Sequence, residues 1–445
     1  MNDSFDPRSY GAMADGHSKD TAAVQAAIDA AAAQGGTVRL AGGTFVCGTL
    51  YLKSNVALEI TNSATLLASP DIADYGTDTH HNRYRNEPEL DRCFLFAQDA
   101  ENVTICGSGV IDGNAAAFPN AGSIYRPMLL RVLRCRNVRV QNLRLLNAAA
   151  WTTAFLDSDF IWATDLHIEN HRNYNGDGLD FDGCRHVWVR GCYIDGTDDN
   201  LCLQSSGLPV QDVHISDCAF TSVCAGIRIG LKSIGEISGV VISNCTMRDI
   251  WREGIKLECT EGGRITDILV ENVTMHNVRR PIFAILNNRY RPDDLGSSVE
   301  LDHIPPIGTM ARLRFVGITA VDDEGMAHAQ RRFDNDIMGE PRFGGCRLDA
   351  NAAHPMQDVT IRDFWYTAIG GVCLADLPAA PYPEVPDRLQ APTAPGSENY
   401  YPNWSRTTHL DARYVRGLTL ENLHFITLHS DERPKMLTEG PTVML

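Results

Sequence analysis

The sequence has no Cys-x-x-Cys pair, no apolar run long enough to cross a bilayer, and no basic opening followed by an apolar stretch. Each absence removes a class of protein. Without an apolar run of bilayer length, no membrane partner is expected. Lysine and arginine are scarce as well, 39 against 56 acidic residues, for a formal charge of −17. Nucleic acid is therefore not an expected partner, because phosphate binding is carried by those two residue types. The opening Met1 to Tyr10 contains Asp3 and Asp6 where a secretory signal would be basic and then apolar. Taken as written the chain is cytoplasmic; a secreted or periplasmic location would require a leader that has been removed.

Thirteen cysteines is an odd number, and a chain of 445 residues does not need disulfides to compensate for a small core. Cys192, Cys218 and Cys245 recur at one position of a repeat, so they read as buried small apolar residues rather than as zinc ligands or a catalytic thiol. Apolar residues make up 44% and charged residues 21% of the chain, as in a globular protein.

The repeat sets the architecture. A short β-rich stretch, an Asn, Asp or Gly, and a second stretch recur as Asn137-Val-Arg-Val-Gln-Asn-Leu-Arg-Leu145, His186-Val-Trp-Val-Arg-Gly-Cys-Tyr-Ile194, Asp212-Val-His-Ile-Ser-Asp-Cys-Ala-Phe220, Gly239-Val-Val-Ile-Ser-Asn-Cys-Thr-Met247 and Asp267-Ile-Leu-Val-Glu-Asn-Val-Thr-Met275. Taking Val138, Phe160, Val187, Val213, Val240 and Ile268 as the first apolar residue of each copy gives steps of 22, 27, 26, 27 and 28, about one β-helix coil each. Val and Ile alternate with polar residues, the mark of strands with one buried face. More interrupted copies begin at Val103, Leu313, Val359 and Leu418. One coil cannot bury its own inward face, whereas stacked coils share a core, so the expected fold is all-β, a single-stranded right-handed parallel β-helix.

A solenoid needs capped ends. Asp20 to Gln34 is expected to form an N-terminal capping helix, with Asp20 capping its start, Val24, Ala27, Ile28 and Ala31 on one face, and Gly35-Gly36 ending it. The reading is one β-helix domain over 1–445, with the cap at about 1–45. Loop insertions are expected at about 282–310, 322–354 and 373–410, the last rich in proline. Long irregular loops on a compact fold are commonly functional, and these are expected to wall a groove.

Carboxylates carry the chemistry. Asn175-Gly-Asp-Gly-Leu-Asp-Phe-Asp182 is followed by Gly196-Thr-Asp-Asp-Asn-Leu-Cys-Leu203, which places Asp177 and Asp198 21 positions apart. That is roughly one coil, so the two should lie on neighbouring strands about 4.8 Å apart. Gly176, Gly178 and Gly196 allow tight turns there. Crowding Asp177, Asp198 and Asp199 raises the pKa of at least one of them. A retained proton beside an ionised partner suits glycosidic cleavage, in which one acid protonates the leaving oxygen and another carboxylate activates water. Three carboxylates also suit calcium, and a calcium-dependent polysaccharide lyase would use Arg228 or Lys256 as its base.

Several further segments, in order, carry a resemblance: Phe5-Asp-Pro-Arg-Ser-Tyr-Gly-Ala-Met-Ala-Asp-Gly16, Asp20-Thr21, Gly35-Gly-Thr-Val38, Leu50-Tyr-Leu-Lys-Ser-Asn-Val56, Gly109-Val-Ile-Asp-Gly113, Arg126-Pro127, Asn147, Trp151-Thr152 and Gly417-Leu-Thr-Leu-Glu-Asn-Leu423. With them the chain resembles the polygalacturonase-type enzymes of glycoside hydrolase family 28 over nearly its full length. The resemblance implies an inverting hydrolase that needs no cofactor or metal. It matches the family's Asn-Thr-Asp to Asn175-Gly176-Asp177 and its paired acids to Asp198-Asp199. Asp198 or Asp199 would be the general acid, usually the second, and the remaining two would share the water.

Two motifs depart. Where the family has Gly-His-Gly and then serine, this chain reads Cys224-Ala-Gly-Ile-Arg-Ile-Gly230, with Ala225 for the histidine and Arg228 for the serine. Where the family has Arg-Ile-Lys to grip a galacturonate carboxylate, it reads Lys256-Leu257-Glu258, a reversal of charge. A carboxylate ligand wants a cation, so rhamnogalacturonan, a modified galacturonan or a neutral glycoside becomes as good a candidate as plain polygalacturonate. Arg228 either restores a positive contact or pairs with Glu253 or Glu258. His171 and Arg172 are expected to line the groove. Tyr174, Trp251, Tyr400, Tyr401 and Trp404 are candidate sugar-stacking aromatics. The expected activity is exo-acting hydrolysis of a plant-type polysaccharide or its fragments, against a calcium-dependent lyase or a non-catalytic glycan-binding β-helix. The partner is a carbohydrate in each case; the sequence does not indicate an oligomeric state.

Overall fold

A computed structural model describes residues 3–79, 91–120, 126–288, 305–328, 341–379 and 404–440. The chain divides into two compact units, Met1–Asp198 and Asp199–Leu445. Each is a stretch of right-handed parallel β-helix, the fold class expected.

In the first unit a coil has three strands. Met128–Leu133, Arg136–Gln141 and Arg144–Leu146 pair in parallel with Thr153–Leu156, Asp159–Thr164 and His167–Glu169 of the next coil, which pair in turn with Leu179–Asp182, Arg185–Arg190 and Tyr193–Gly196. Stacking like on like follows from the register: Val138, Ile161 and Val187 are partners and all are fully buried. Phe155 and Phe181 are likewise partners, and their rings stack inside at 5.0 Å. The register corrects one position of the repeat. Ile161, not Phe160, partners Val138 and Val187; Phe160 sits at φ 56° in the turn before it.

The Asn, Asp or Gly at the middle of each copy has a physical reason. Asn142, Gly191, Asp217, Asn244 and Asn272 all have φ between 54° and 67°, the left-handed region that these residue types tolerate best. They bend the chain from one sheet to the next. A second column of such bends forms an amide ladder, in which Asn137 donates to Asn102 at 2.6 Å and Asn102 to Asn55 at 2.8 Å.

The capping helix α1 spans Thr21–Ala32 and buries Ala23, Val24, Ala27, Ile28 and Ala31, the expected face. Asp20 does not cap it. Its carboxylate accepts instead from the backbone N–H groups of Met13 and Ala14, at 2.7 and 3.0 Å, and ties the entry turn to the cap.

In the second unit Val213, Val240, Ile268, Leu313, Val359 and Leu418 pair in sequence, so the interrupted copies are true rungs. Of the expected insertions, residues 289–304, 329–340 and 380–403 lie outside the described residues, and the described ends carry strands. Strand Arg264–Leu286 runs into the first, Thr309–Val321 begins before the first was expected to end, and Cys346–Asp349 is a rung strand inside the second. Leu410, at the end of the third, opens strand Leu410–Arg413. Cys192, Cys218 and Cys245 are buried, as their repeat position implied. The Cys245 thiol is pushed up by the neighbouring Cys218 and by burial, which suits packing rather than nucleophilic chemistry.

Candidate active site

Asp177 lies in the loop between strands His167–Glu169 and Leu179–Asp182 of the first unit, and its backbone is held from several sides. Thr152 donates to the Asp177 carbonyl through both its N–H and its hydroxyl, at 3.0 and 2.7 Å. Arg126, itself buried, donates to the Tyr174 carbonyl at 2.5 Å and to the Asn175 side chain at 2.7 Å. Asn175 takes the left-handed turn at φ 56°. The Thr197 hydroxyl donates to the Asn173 carbonyl at 2.5 Å and accepts from Gly176 N–H at 3.1 Å. Gly176 is required by this close approach rather than by an unusual φ, since a Cβ there would run into the Thr197 hydroxyl. Asp177 is 5% exposed.

Asp198 follows strand Tyr193–Gly196 and closes the first unit, half-buried. His171 and Arg172 are exposed on the Asp177 loop, and His171 Nε2 lies 2.8 Å from the buried Asp195 carboxylate. Together with Phe118, Asn120, Asn147 and Asn173 they line a depression of ≈ 540 Å³.

Asp199 opens the second unit and is 1% exposed. Its carboxylate accepts from Arg228 Nη1 at 2.6 Å and from the Ala225 N–H at 3.2 Å, while the Cys202 thiol lies at 3.8 Å. Burial pushes the Asp199 carboxyl up, but Arg228, Lys256 and Arg252 together with the Cys224 thiol overcome it and hold the group below the ordinary carboxylate range. Asp199 is therefore held in its ionised form. Ala225, where the family pattern has histidine, contributes its backbone N–H rather than a side chain.

The Lys256-Leu257-Glu258 departure has a local explanation. Arg228 sits between two acids, donating through Nε to Glu258 at 2.7 Å while Nη1 holds Asp199. Lys256 lies 3.7 Å from Glu258 and 3.5 Å from Glu253; Arg280 and Arg252 reach Glu253 at 3.4 and 3.6 Å. Three carboxylates, Asp199, Glu253 and Glu258, thus face four cations. Glu258 is 1% exposed and neutralised by its neighbours, so its charge does not confront a ligand as the sequence suggested. The ion pair foreseen for Arg228 with Glu258 exists, and it joins Glu258 to Asp199.

Among the aromatics, Trp251 is 3% exposed with the Arg279 guanidinium 4.9 Å over its ring. That is a wall position, without an open face for a sugar. Tyr174 is half-buried, with its backbone engaged by Asn120 and Arg126. Trp404 is half-buried and its carbonyl accepts from Arg347. Tyr400 and Tyr401 lie outside the described residues. Sequence reading gave no role to Arg126, Thr152 or Thr197, although the first two fall in segments that carried the resemblance.

Comparison with known proteins bears on the family and the fold. The chain is 26% identical over 303 residues to a probable polygalacturonase of Vitis vinifera, covering 61% of this chain and 60% of that one. It is 25% identical over 334 residues to an exo-poly-alpha-D-galacturonosidase of Dickeya chrysanthemi, covering 61% and 55%. The chain thus spans less than two thirds of the length of either relative. A hyperthermoactive exopolygalacturonase from Thermotoga maritima superposes with a TM-score of 0.68 over 96% of this chain and 92% of that one at 18% identity, a likeness of fold. The family model described as glycosyl hydrolases family 28 matches residues 44–300. With more than half of its length inside that match and the aspartates of the expected motif within it, the chain belongs to glycosyl hydrolases family 28.

Proposed function

We propose that this protein hydrolyses O-glycosidic bonds in a pectic oligosaccharide or polysaccharide, acting from a chain end with inversion. The observation that carries the reading is the Asp199 carboxylate, kept ionised in a buried site by Arg228 at 2.6 Å. An acid held this way is ionised near neutrality, so it has no proton to donate, while its carboxylate, though a weak base, is free to accept one. The general-acid role therefore goes to the half-buried Asp198, the reverse of the assignment that the resemblance implied. Asp198 gives its proton to the leaving oxygen as the C–O bond breaks. Asp199 takes a proton from the water that attacks the anomeric carbon, and Asp177 keeps the water-sharing role that the resemblance implies. The products leave with the water's hydroxyl on the sugar and the Asp198 proton on the leaving alcohol, and transfer of one proton back to Asp198 restores the site.

The pectic substrate and exo action draw support from the Dickeya chrysanthemi relative, whose name states both. The calcium-dependent lyase is less favoured. Arg228, one base it would need, is fixed between two carboxylates, and Lys256 is fully buried beside two more. A cation at Asp199 would also have to displace a guanidinium already in place.

The deciding experiment is Asp198→Asn, assayed on oligogalacturonides with products resolved by length. Turnover is expected to fall about 10²- to 10⁴-fold, the usual contribution of a positioned acid, with oligosaccharide binding retained. Turnover equal to the unaltered protein would remove Asp198 as the acid. Activity lost to EDTA, with ultraviolet-absorbing unsaturated products, would return the lyase.

A further inference from the structure

Lys256, the cation that remains in the motif matched to the family's carboxylate grip, and Arg228 are both committed inside this protein. Lys256 is fully buried between Glu253 and Glu258, and Arg228 is committed to Asp199 and Glu258. A uronate substrate still needs a positive partner, because a carboxylate stripped of water without one costs several kcal/mol. Arg172 is suited to this. It is exposed, and among the described residues no ion pair or hydrogen bond engages it. In a chain of net charge −17 that leaves its guanidinium available to an outside anion.

Its surroundings suit a sugar acid. Arg172 lines the ≈ 540 Å³ depression with Asn120, Asn147, Asn173 and His171. Asn173 is anchored by its own amide, which donates to the carbonyls of Ala115 and Ala149 at 3.2 Å each, and Asn147 donates to Asp112 at 3.0 Å. His171 is steadied by the Asp195 carboxylate at 2.8 Å. The walls are therefore held in place, while the one full positive charge without a protein partner points to a ligand. Arg172 lies five positions before Asp177 on the same loop.

We propose that this depression is a hexuronate subsite in which Arg172 pairs with the sugar carboxylate and the exposed Asn120, Asn147 and His171 contact its hydroxyls. It supplies by a different residue the carboxylate contact that Lys256-Leu257-Glu258 has given up. The proposal rests on the glycosidase reading above and sharpens it to a charged substrate. Arg172 acts through binding, so its loss should appear in KM rather than in kcat.

The test compares Arg172→Gln with the unaltered protein on oligogalacturonides and on the same oligosaccharides after carboxyl reduction. KM for the charged series is expected to rise at least tenfold with kcat changed less than threefold. KM for the reduced series should be unchanged, and Arg172→Lys should recover part of the loss. Binding is measured separately by calorimetry in Asp198→Asn, with and without Arg172→Gln, so that no turnover is needed. A charged-substrate affinity unaffected by Arg172→Gln, or equal losses on charged and reduced ligands, would overturn the subsite. If no glycoside is hydrolysed yet Arg172→Gln still abolishes uronate binding, the subsite stands and the hydrolase reading falls.

Discussion

Asp177 and Asp199 are both almost fully buried acids of the expected set, and the two units hold them by opposite means. In the first unit the contacts that hold the Asp177 loop are to its backbone: hydroxyls, amides and N–H groups fix its carbonyls, with Arg126 holding Tyr174 and Asn175. In the second unit the grip is ionic and direct, a guanidinium 2.6 Å from the Asp199 carboxylate within a network of seven charged groups. Neutral contacts set position and leave protonation open; a buried cation sets protonation as well. The comparison accounts for assigning Asp199 as the ionised partner.

The ionic side should break hardest. Arg228→Leu strips the shared cation from two buried carboxylates, and removing one partner of a buried pair costs about 3–5 kcal/mol. A matching fall in denaturation midpoint is expected by urea unfolding. The Asp199 pKa should also rise, so any remaining activity should lose its acid side. In the unaltered protein the depressed pKa means that the pair stabilises the fold above the ordinary aspartate range and fails only as pH drops through the lowered value. An Arg228→Leu protein of unchanged stability would show that the network does not hold the second unit.

A second contrast lies within that unit. Asp349 is as buried as Asp199, yet its partner on the next rung, Arg413, stands 3.9 Å away rather than 2.6 Å. Burial then prevails over Arg347 and Arg413, and the Asp349 carboxyl is pushed up to about 6. A raised acid works against folding where the unfolded chain ionises and the native group does not. Stability should therefore fall as pH rises from about 4 to about 6, and the penalty should persist above it, by at most about 3 kcal/mol. Asp349→Asn should remove that component from a plot of unfolding free energy against pH. A slope unchanged by the substitution would mean that the arginines hold Asp349 ionised after all.

The same contrast marks what the sequence could reveal. Rungs were legible because alternating Val and Ile and the left-handed Asn, Asp or Gly bends are local signals, and the interrupted copies at Leu313, Val359 and Leu418 kept them. Phe160 misled because it is an apolar residue in a left-handed turn where the other copies have polar residues or glycine, one position before the true rung residue Ile161. Asp20 had the right position for a helix cap but a better use for its carboxylate in the turn behind it. The acids themselves were visible as motifs. Their protonation was not, because Arg228 meets Glu258 across 30 positions and Asp199 across 29, pairings that depend on strand register rather than on any local pattern.

On the neutral side the effect should be smaller and should separate position from charge. Thr152→Val keeps the shape but removes a hydroxyl that donates to the Asp177 carbonyl at 2.7 Å and accepts from the buried Asn170 amide. Leaving buried polar groups short of a partner costs about 1–3 kcal/mol, less than the loss expected at Arg228. The Thr152 backbone N–H still holds the same carbonyl at 3.0 Å, so the loop should loosen rather than detach. Turnover should fall about tenfold through misplacement of Asp177, while the acid side of the pH profile stays where it is, because no charge near Asp199 has changed. A shift of that profile in Thr152→Val would mean that the neutral grip also governs protonation, and the distinction between the two units would fail.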